Sequence, residues 1–275
     1  MDNTIATQLR KAASCLPADS ARLDAELLLA HVLDKPRSWL LAWPEQEVSP
    51  AMLVSFEKLL TRRVNGEPIA YILGMQEFWS MPLHLTEATL IPRPDTEVLV
   101  EAVLNSYKSQ EALKILDAGT GSGAIALALA KERPCWGVVA SDISKPALDV
   151  ARGNAERLGI SVTFIQSDWL LAFLDNNLDI IVSNPPYIAE NDVHLEHLRY
   201  EPRSALVAAD TGLADIRAIV EQAVKALKSG GALYVEHGYD QGERVRSIFE
   251  SGCFVNVHTG KDYAGNERFT CGIKP

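Results

Sequence analysis

No stretch of the 275-residue chain sustains the roughly 18 apolar residues that a membrane span needs. The opening segment MDNTIATQLRKAA carries no apolar signal-peptide core either, which points to the cytoplasm. The four cysteines, Cys15, Cys135, Cys253 and Cys271, stand far apart and form no C-x-x-C pair. They read as reduced, packed thiols and not as a disulfide framework or metal site. Basic residues are outnumbered, 26 Lys and Arg against 36 Asp and Glu, for a net charge of −10. That balance argues against general phosphate tracking along nucleic acid and leaves a basic protein partner open. There is no G-x-S-x-G elbow and no P-loop, so nothing supports a hydrolase or an NTPase. His194 and His197 sit close in one loop, but no carboxylate or cysteine set completes a metal site, and no metal is expected.

What the chain has is apolar material for a sizeable core, at 47% hydrophobic residues. The first 70 or so residues read as helices. DSARLDAELLLAHVL sets Leu23, Leu27, Ala30 and His31 on one face, with Asp19 or Ser20 as cap. SPAMLVSFEKLLTRRV repeats the pattern through Leu53, Phe56, Leu60 and Val64, with Ser49 as cap and Pro50 in the first turn. Between Gly74 and Pro94, EFWSMPLHL and ATLI have the period-two texture of a hairpin. After Pro94, seven strand-like runs alternate with helices, the last of which before the closing strands are LADIRAIVEQAVKALKSGG and QGERVRSIFES. Such alternation predicts an α/β fold with a mainly parallel seven-stranded sheet and helices on both faces. The expected division is a helical domain over residues 1–72, a hairpin linker over 73–93 and a Rossmann-like domain over 94–275.

Within that domain, LDAGTGSGAIAL is a glycine loop between a strand and a helix. Gly119 and Gly121 let the backbone turn and approach a ligand, with Thr120 and Ser122 between and after them; Gly123 and Ala124 start the helix against the sheet. Asp142 ends the next strand, VVASD, where a carboxylate can accept from both hydroxyls of a ribose. It would serve as a helix cap too, though Ser144 fills that role better. At the following strand end, Asp168 and Trp169 suit an adenine, and Trp169 suits core packing nearly as well. To this point NAD and S-adenosyl-L-methionine fit equally.

The strand LDIIVS then runs into Asn184-Pro185-Pro186-Tyr187. Two prolines stop a sheet ladder and stiffen the turn at its end. The tetrapeptide resembles the N/D-P-P-Y/F motif of S-adenosylmethionine-dependent methyltransferases that act on amide-like or exocyclic nitrogens. The chemistry accounts for the residue types. An amide nitrogen is a poor nucleophile because its lone pair is delocalised. If its N–H groups donate to the Asn184 side-chain oxygen and the Pro185 carbonyl, it can pyramidalise and aim the pair at a sulfonium methyl. Tyr187 offers a flat wall for the substrate plane. Alignment of this kind is worth about 7–11 kcal/mol at best. Together with the glycine loop and Asp142, the motif selects S-adenosylmethionine over NAD.

GEPIAYILG, IPRPDTE, NPPYI, and the downstream YEP and ALVAADTGL together closely resemble the PrmC (HemK) family. The resemblance spans essentially the whole chain. It implies methylation of the glutamine of the Gly-Gly-Gln motif in class-1 peptide-chain release factors, with S-adenosyl-L-homocysteine as product, by a cytoplasmic monomer that binds neither membrane nor nucleic acid directly. It implies too that the helical domain grips the release factor. Gly119, Thr120, Gly121, Ser122, Gly123, Asp142, Trp169 and Asn184 would contact the cofactor, and Asn184, Pro185, Pro186 and Tyr187 the glutamine. Asn184 and Pro185 are the expected catalytic pair. Arg93 and Glu97 would border the pocket, or else serve as a helix-start turn and a surface ion pair. One departure stands out. Where the family often carries G-D-V-R before the EP step, this chain reads HLEHLRYEP, which puts the substrate contacts of that loop in question. His237, next to Glu236 at a strand end, is a packed or exposed histidine or a lining of the crevice. Competing readings keep the chemistry and move it to a ribosomal-protein glutamine or a flipped adenine, or make the chain a non-catalytic S-adenosylmethionine-binding adaptor.

Overall fold

The computed structural model describes residues 3–108 and 110–275. They fall into two compact units, residues 1–75 and 76–275. In the first, five helices enclose a core of their own: α1 (Ile5–Ala13), α2 (Ala21–Leu33), α3 (Arg37–Ala42), α4 (Pro50–Val64) and α5 (Ile69–Leu73). Ile5, Leu28, Leu29, Leu40 and Phe56 fill it. Helix α4 begins as its sequence predicts, with Pro50 in the first turn and the Ser49 hydroxyl accepting from the Met52 N–H. Along α4 Phe56 is buried and Leu53 and Leu60 half-buried, while Val64 is exposed.

Half of the expected face of α2 is corrected. Ala30 is buried and Leu27 half-buried as predicted, but Leu23 and His31 are exposed, and Ala21, Ala25, Leu28 and Leu29 point inward together with Asp24 and Glu26. Two buried carboxylates on the inner face disguise it as the outer one. Each is matched: Asp24 accepts from Arg63 Nε at 2.7 Å, and Glu26 accepts from Arg22 Nε at 2.9 Å and Arg37 Nη2 at 2.6 Å. A buried carboxylate without such partners would be strongly destabilising.

Strands β1 (Met75–Phe78) and β2 (Met81–His84) form the two-stranded sheet, turning at Trp79 and Ser80, whose φ values of 52° and 53° suit a two-residue hairpin. Asn154, wholly buried, clasps β2 to the glycine loop: its Oδ1 accepts from the His84 N–H, and its Nδ2 donates to the carbonyls of His84 and Ser122.

The large sheet holds β3 (Lys114–Ala118), β4 (Gly137–Asp142), β5 (Thr163–Gln166), β6 (Leu178–Ser183), β7 (Leu227–Glu236), β8 (Val255–Lys261) and β9 (Glu267–Ile273) in the order β5-β4-β3-β6-β7-β9-β8. The pairs among β3 to β7 are parallel, and β9 is antiparallel to both neighbours. Because side chains alternate along a strand, Ile115, Val138, Ile180 and Val182 meet α6 (Glu97–Ser106) and α7 (Ala124–Glu132) on one face. Leu116, Ile181, Leu233 and Val235 meet α10 (Ala214–Ala226) and α11 (Gly242–Ser251) on the other. Helix α8 (Lys145–Leu158) is capped by Ser144 and stopped by Gly159 in the left-handed region, as its sequence predicts. A short segment, α9 (Ala209–Gly212), is broken by left-handed Asp210 and Thr211.

One boundary is corrected. The predicted helix LADIRAIVEQAVKALKSGG stops at Ala226, and Leu227 already pairs with Leu178 as the first residue of β7. Gly230, with φ of 80°, and a register shift opposite Leu178 and Ile180 mark the irregular start of that strand, whose Leu227 and Lys228 favour helix on propensity alone.

Candidate active site

Strand register decides what meets here. Ala118 lies opposite Ser183 on one side and Ser141 on the other, and Asp142 opposite Gln166. The glycine loop, the Asn-Pro-Pro-Tyr turn, Asp142 and the segment holding Trp169 therefore leave the carboxyl ends of adjacent strands at one edge of the sheet. The strand order reverses beside β3, the place where open α/β sheets bind ligands.

A cavity of about 260 Å³ opens there. Gly119, Thr120, Gly121 and Ser122 line it, as do Asp142, Asp168, Trp169, Asn184 and Pro186. Gly123, Pro185 and Tyr187 lie outside that lining. Gly123 starts α7 with φ of 87°, where a Cβ would come within 3.2 Å of Ala151 Cβ. Pro185 is buried, and the Tyr187 hydroxyl donates to Glu236 Oε1 across 3.3 Å. A larger groove of about 860 Å³ runs past Lys114, Gly137 and Thr163 at the opposite ends of the strands and touches none of these residues.

The loop is clamped over the tip of β4. Gly119 and Thr120 N–H groups both donate to the Ser141 carbonyl, at 2.8 and 2.9 Å. The Gly121 N–H donates to Asp142 Oδ2 at 2.9 Å, and Ser144 N–H to Oδ1 at 2.8 Å. Burial raises the Asp142 pKa, and those N–H groups pull against the rise. Each oxygen keeps a further lone pair. Below the loop, burial pushes Asp117 up to about 7 against the donors Thr120 and Ala126 N–H.

Trp169 sits at φ of 45° with its ring against Gly119. Its indole N–H opposes the upward pKa shift that burial gives Asp215, which also lines the cavity. Asn184 Nδ2 donates to Thr96 Oγ1 at 3.2 Å. Its Oδ1 is buried and, among the described residues, has no hydrogen-bond partner.

Arg93 and Glu97 do not reach the cavity. Arg93 pairs with Glu201, and Glu97 Oε1 accepts from the Trp79 N–H at 2.8 Å. Their neighbours Pro92 and Thr96 form the wall. Glu201, of the YEP step, is buried and also accepts from the Ile91 N–H at 3.1 Å. It ties the segment ending at Pro92 to the one carrying Ser204 and Ala205, which face the same cavity. The departing stretch HLEHLRYEP begins in a largely exposed 3-10 turn, Val193–Leu198. His237 is fully buried, held by the Gly238 carbonyl and Thr270 Oγ1, and burial lowers its pKa. Among the described residues no cluster of three metal-ligating side chains exists.

Thr96, Glu201, Asp215 and Glu236 escape a motif scan. Thr96 lies inside IPRPDTE, whose charged members Arg93, Asp95 and Glu97 draw attention away from a threonine, and Glu201 is a lone glutamate in YEP. Asp215 reads as a helix-start residue.

The chain is similar to known proteins. Residues 7–74 match the PrmC N-terminal domain model and residues 94–200 the methyltransferase small domain model. Release factor glutamine methyltransferase of Vibrio cholerae is 50% identical over 279 residues, covering 99% of this chain and 97% of its own. That of Escherichia coli K12 is 50% identical over 268 residues, covering 96% of each. Among solved structures, a Pyrococcus furiosus methyltransferase superposes with a TM-score of 0.56 at 17% identity, over 79% of this chain and 98% of its own. A T. thermophilus 16S rRNA methyltransferase does so with a TM-score of 0.54 at 19% identity, over 73% and 50%. The chain belongs to the PrmC family of release factor glutamine methyltransferases.

Proposed function

We propose that this chain methylates the side-chain amide nitrogen of the glutamine in the Gly-Gly-Gln motif of class-1 release factors. The observation that carries the reading is the buried, unpartnered Asn184 Oδ1 at a cavity walled by the glycine loop and Asp142. A buried acceptor left unsatisfied costs about 1–3 kcal/mol, so it marks a place where a donor is meant to arrive. A primary amide brings such a donor.

The residues fit S-adenosyl-L-methionine. A Cβ built on Gly121 meets nothing within 4 Å, so its face is open to a ligand. Asp142 retains lone pairs for ribose hydroxyls, and Trp169 and Asp168 line the same cavity with an aromatic ring and an acceptor that suit an adenine. When bound, this cofactor supplies an electrophilic methyl on sulfur and leaves as S-adenosyl-L-homocysteine. The chain's own work is alignment. Asn184 Oδ1 and the Pro185 carbonyl accept the two amide N–H groups, Pro186 and the stiff turn set the angle, and Tyr187 backs the turn through Glu236. No side chain need remove a proton beforehand, because the nitrogen becomes acidic only once alkylated.

The helical unit is the element that recognises the release factor, and the enzyme works as a cytoplasmic monomer on a protein substrate. The relatives' names, release factor glutamine methyltransferase, support the substrate. Among the described residues no helix is long and apolar enough to cross a membrane. The test is incubation with labelled S-adenosylmethionine and purified release factor, followed by mass spectrometry of the Gly-Gly-Gln peptide. Label on that glutamine is expected. Label only on a ribosomal protein or on nucleic acid in parallel reactions would overturn the reading.

A further inference from the structure

We infer that Gln241 is a positioning residue for the transfer: its side-chain amide holds the Tyr187 carbonyl and so fixes the Asn-Pro-Pro-Tyr turn. The inference rests on the acceptor roles proposed for Asn184 and Pro185 and deepens them. A turn of this composition has few donors of its own. Two of its four residues are prolines and bring no backbone N–H. The Asn184 side-chain oxygen and the Pro185 carbonyl are reserved for the incoming amide. The angle at which they meet it is therefore set by what grips the two ends of the turn from outside.

The upstream end is gripped at Ser183, whose buried hydroxyl donates to the Ala118 carbonyl at 2.6 Å, at the entry to the glycine loop. The downstream end is gripped by Gln241. Its Nε2 donates to the Tyr187 carbonyl at 3.0 Å and to the Thr211 carbonyl at 3.4 Å. A carboxamide has a donor end and an acceptor end of nearly equal shape, so its direction needs a reason. Here the backbone supplies it. The Gly238 N–H, which only donates, reaches Oε1 at 2.9 Å, and the amino end is left facing two carbonyls, which only accept. Gln241 is 4% exposed, so water does not compete for these bonds.

The stretch ALVAADTGL packs against the same end of the turn. The Ile188 N–H, just past Tyr187, donates to the Leu206 carbonyl at 2.9 Å, and the Ala208 N–H donates to the Ile188 carbonyl at 3.0 Å. Gly212, at φ of 84°, comes so close that a Cβ on it would collide with the Tyr187 carbonyl. Gln241 thus joins the turn and this stretch to the connection between β7 and α11. It lies outside the cavity lining, so it acts on the reaction only through the turn.

The test compares wild type with Gln241→Met and Gln241→Glu at pH 8 on intact release factor, with S-adenosylmethionine affinity by calorimetry and a melting temperature for each. Methionine keeps the length of the side chain and loses the donor. Glutamate keeps an oxygen for Gly238 and turns its other oxygen on the two carbonyls. Both should lose about 10–10²-fold in kcat, the effect of a small misplacement of aligned groups. KM for release factor and cofactor affinity should stay within about threefold, the split expected of a group felt only in the transition state. Wild-type kcat in either variant overturns the inference, and so does a loss that follows cofactor affinity or melting temperature. If Gln241→Met fails to fold, Gln241→Glu decides by the same measurements; failure of both to fold overturns the inference by making the side chain structural. Wild-type protein that leaves the Gly-Gly-Gln glutamine unmodified overturns the underlying reading instead, whereas equal methylation by wild type and both variants overturns the inference alone.

Discussion

The Trp169 ring occupies the space that a side chain on Gly119 would need: a Cβ built there lies 2.9 Å from Cζ3 of the indole. The glycine is thus required twice, by its φ of 77° and by the ring beside it. A left-handed conformation alone costs an L-residue about 1–2 kcal/mol. Gly119→Ala should lower the melting temperature and weaken S-adenosylmethionine binding in calorimetry. Unchanged values for both would show that the ring moves aside freely.

Asp142 has both oxygens engaged by backbone N–H groups and still faces the cavity. Asp142→Ala should weaken cofactor binding by about 10–100-fold, the range for hydrogen bonds to a charged group. Titration calorimetry reads this directly. An unaltered affinity removes the ribose assignment and leaves Asp142 as a clamp for the glycine loop.

Asn184→Ala should reduce turnover by about 10²–10³-fold while cofactor affinity is largely kept, since the lost oxygen serves the substrate nitrogen. Single-turnover assays with labelled cofactor separate the two effects. Near-normal turnover would remove the acceptor role.

Asp117 bears on stability. Burial pushes it up to about 7 from 3.8, against Thr120 and Ala126 N–H. The folded protein therefore holds a proton that the unfolded chain releases near pH 4. That contribution is full below about pH 4 and is lost as pH rises toward 7. Asp117→Asn should gain on wild type as pH rises from 4 to 7 in denaturant unfolding. Parallel curves at both ends of that range would contradict the raised value.

Deletion of residues 1–75 should abolish methylation of intact release factor and spare S-adenosylmethionine binding, because residues 76–275 carry a core and cavity of their own. Equal rates on intact factor with and without the helical unit would show that recognition lies elsewhere.

Much of the site is legible in the chain because strand ends and tight turns demand particular residue types. Only a backbone that must enter the left-handed region needs glycine at 119, 121 and 123, and only a ladder that must stop tolerates Pro185 and Pro186 in succession. Alternating strand and helix patterns fix the parallel sheet, and parallel strands then place every strand-to-helix loop at one end. Propensity is a poorer guide where buried charge or sheet pairing prevails. The inner face of α2 hides behind Asp24 and Glu26, and the helix leading into β7 ends earlier than its residues favour.

The sequence by itself determined the class of fold, the edge of the sheet that holds the cavity and the motif that aims at an amide nitrogen, because these follow from local backbone constraints. Only the tertiary structure decided that Thr96 and not Glu97 faces the cavity, that Arg93 turns to Glu201, and that Glu236 lies behind Tyr187. Tyr187 and Glu236 stand 49 residues apart in the chain and Arg93 and Glu201 108, and hydrogen bonds across such separations exist only once packing has brought the elements together.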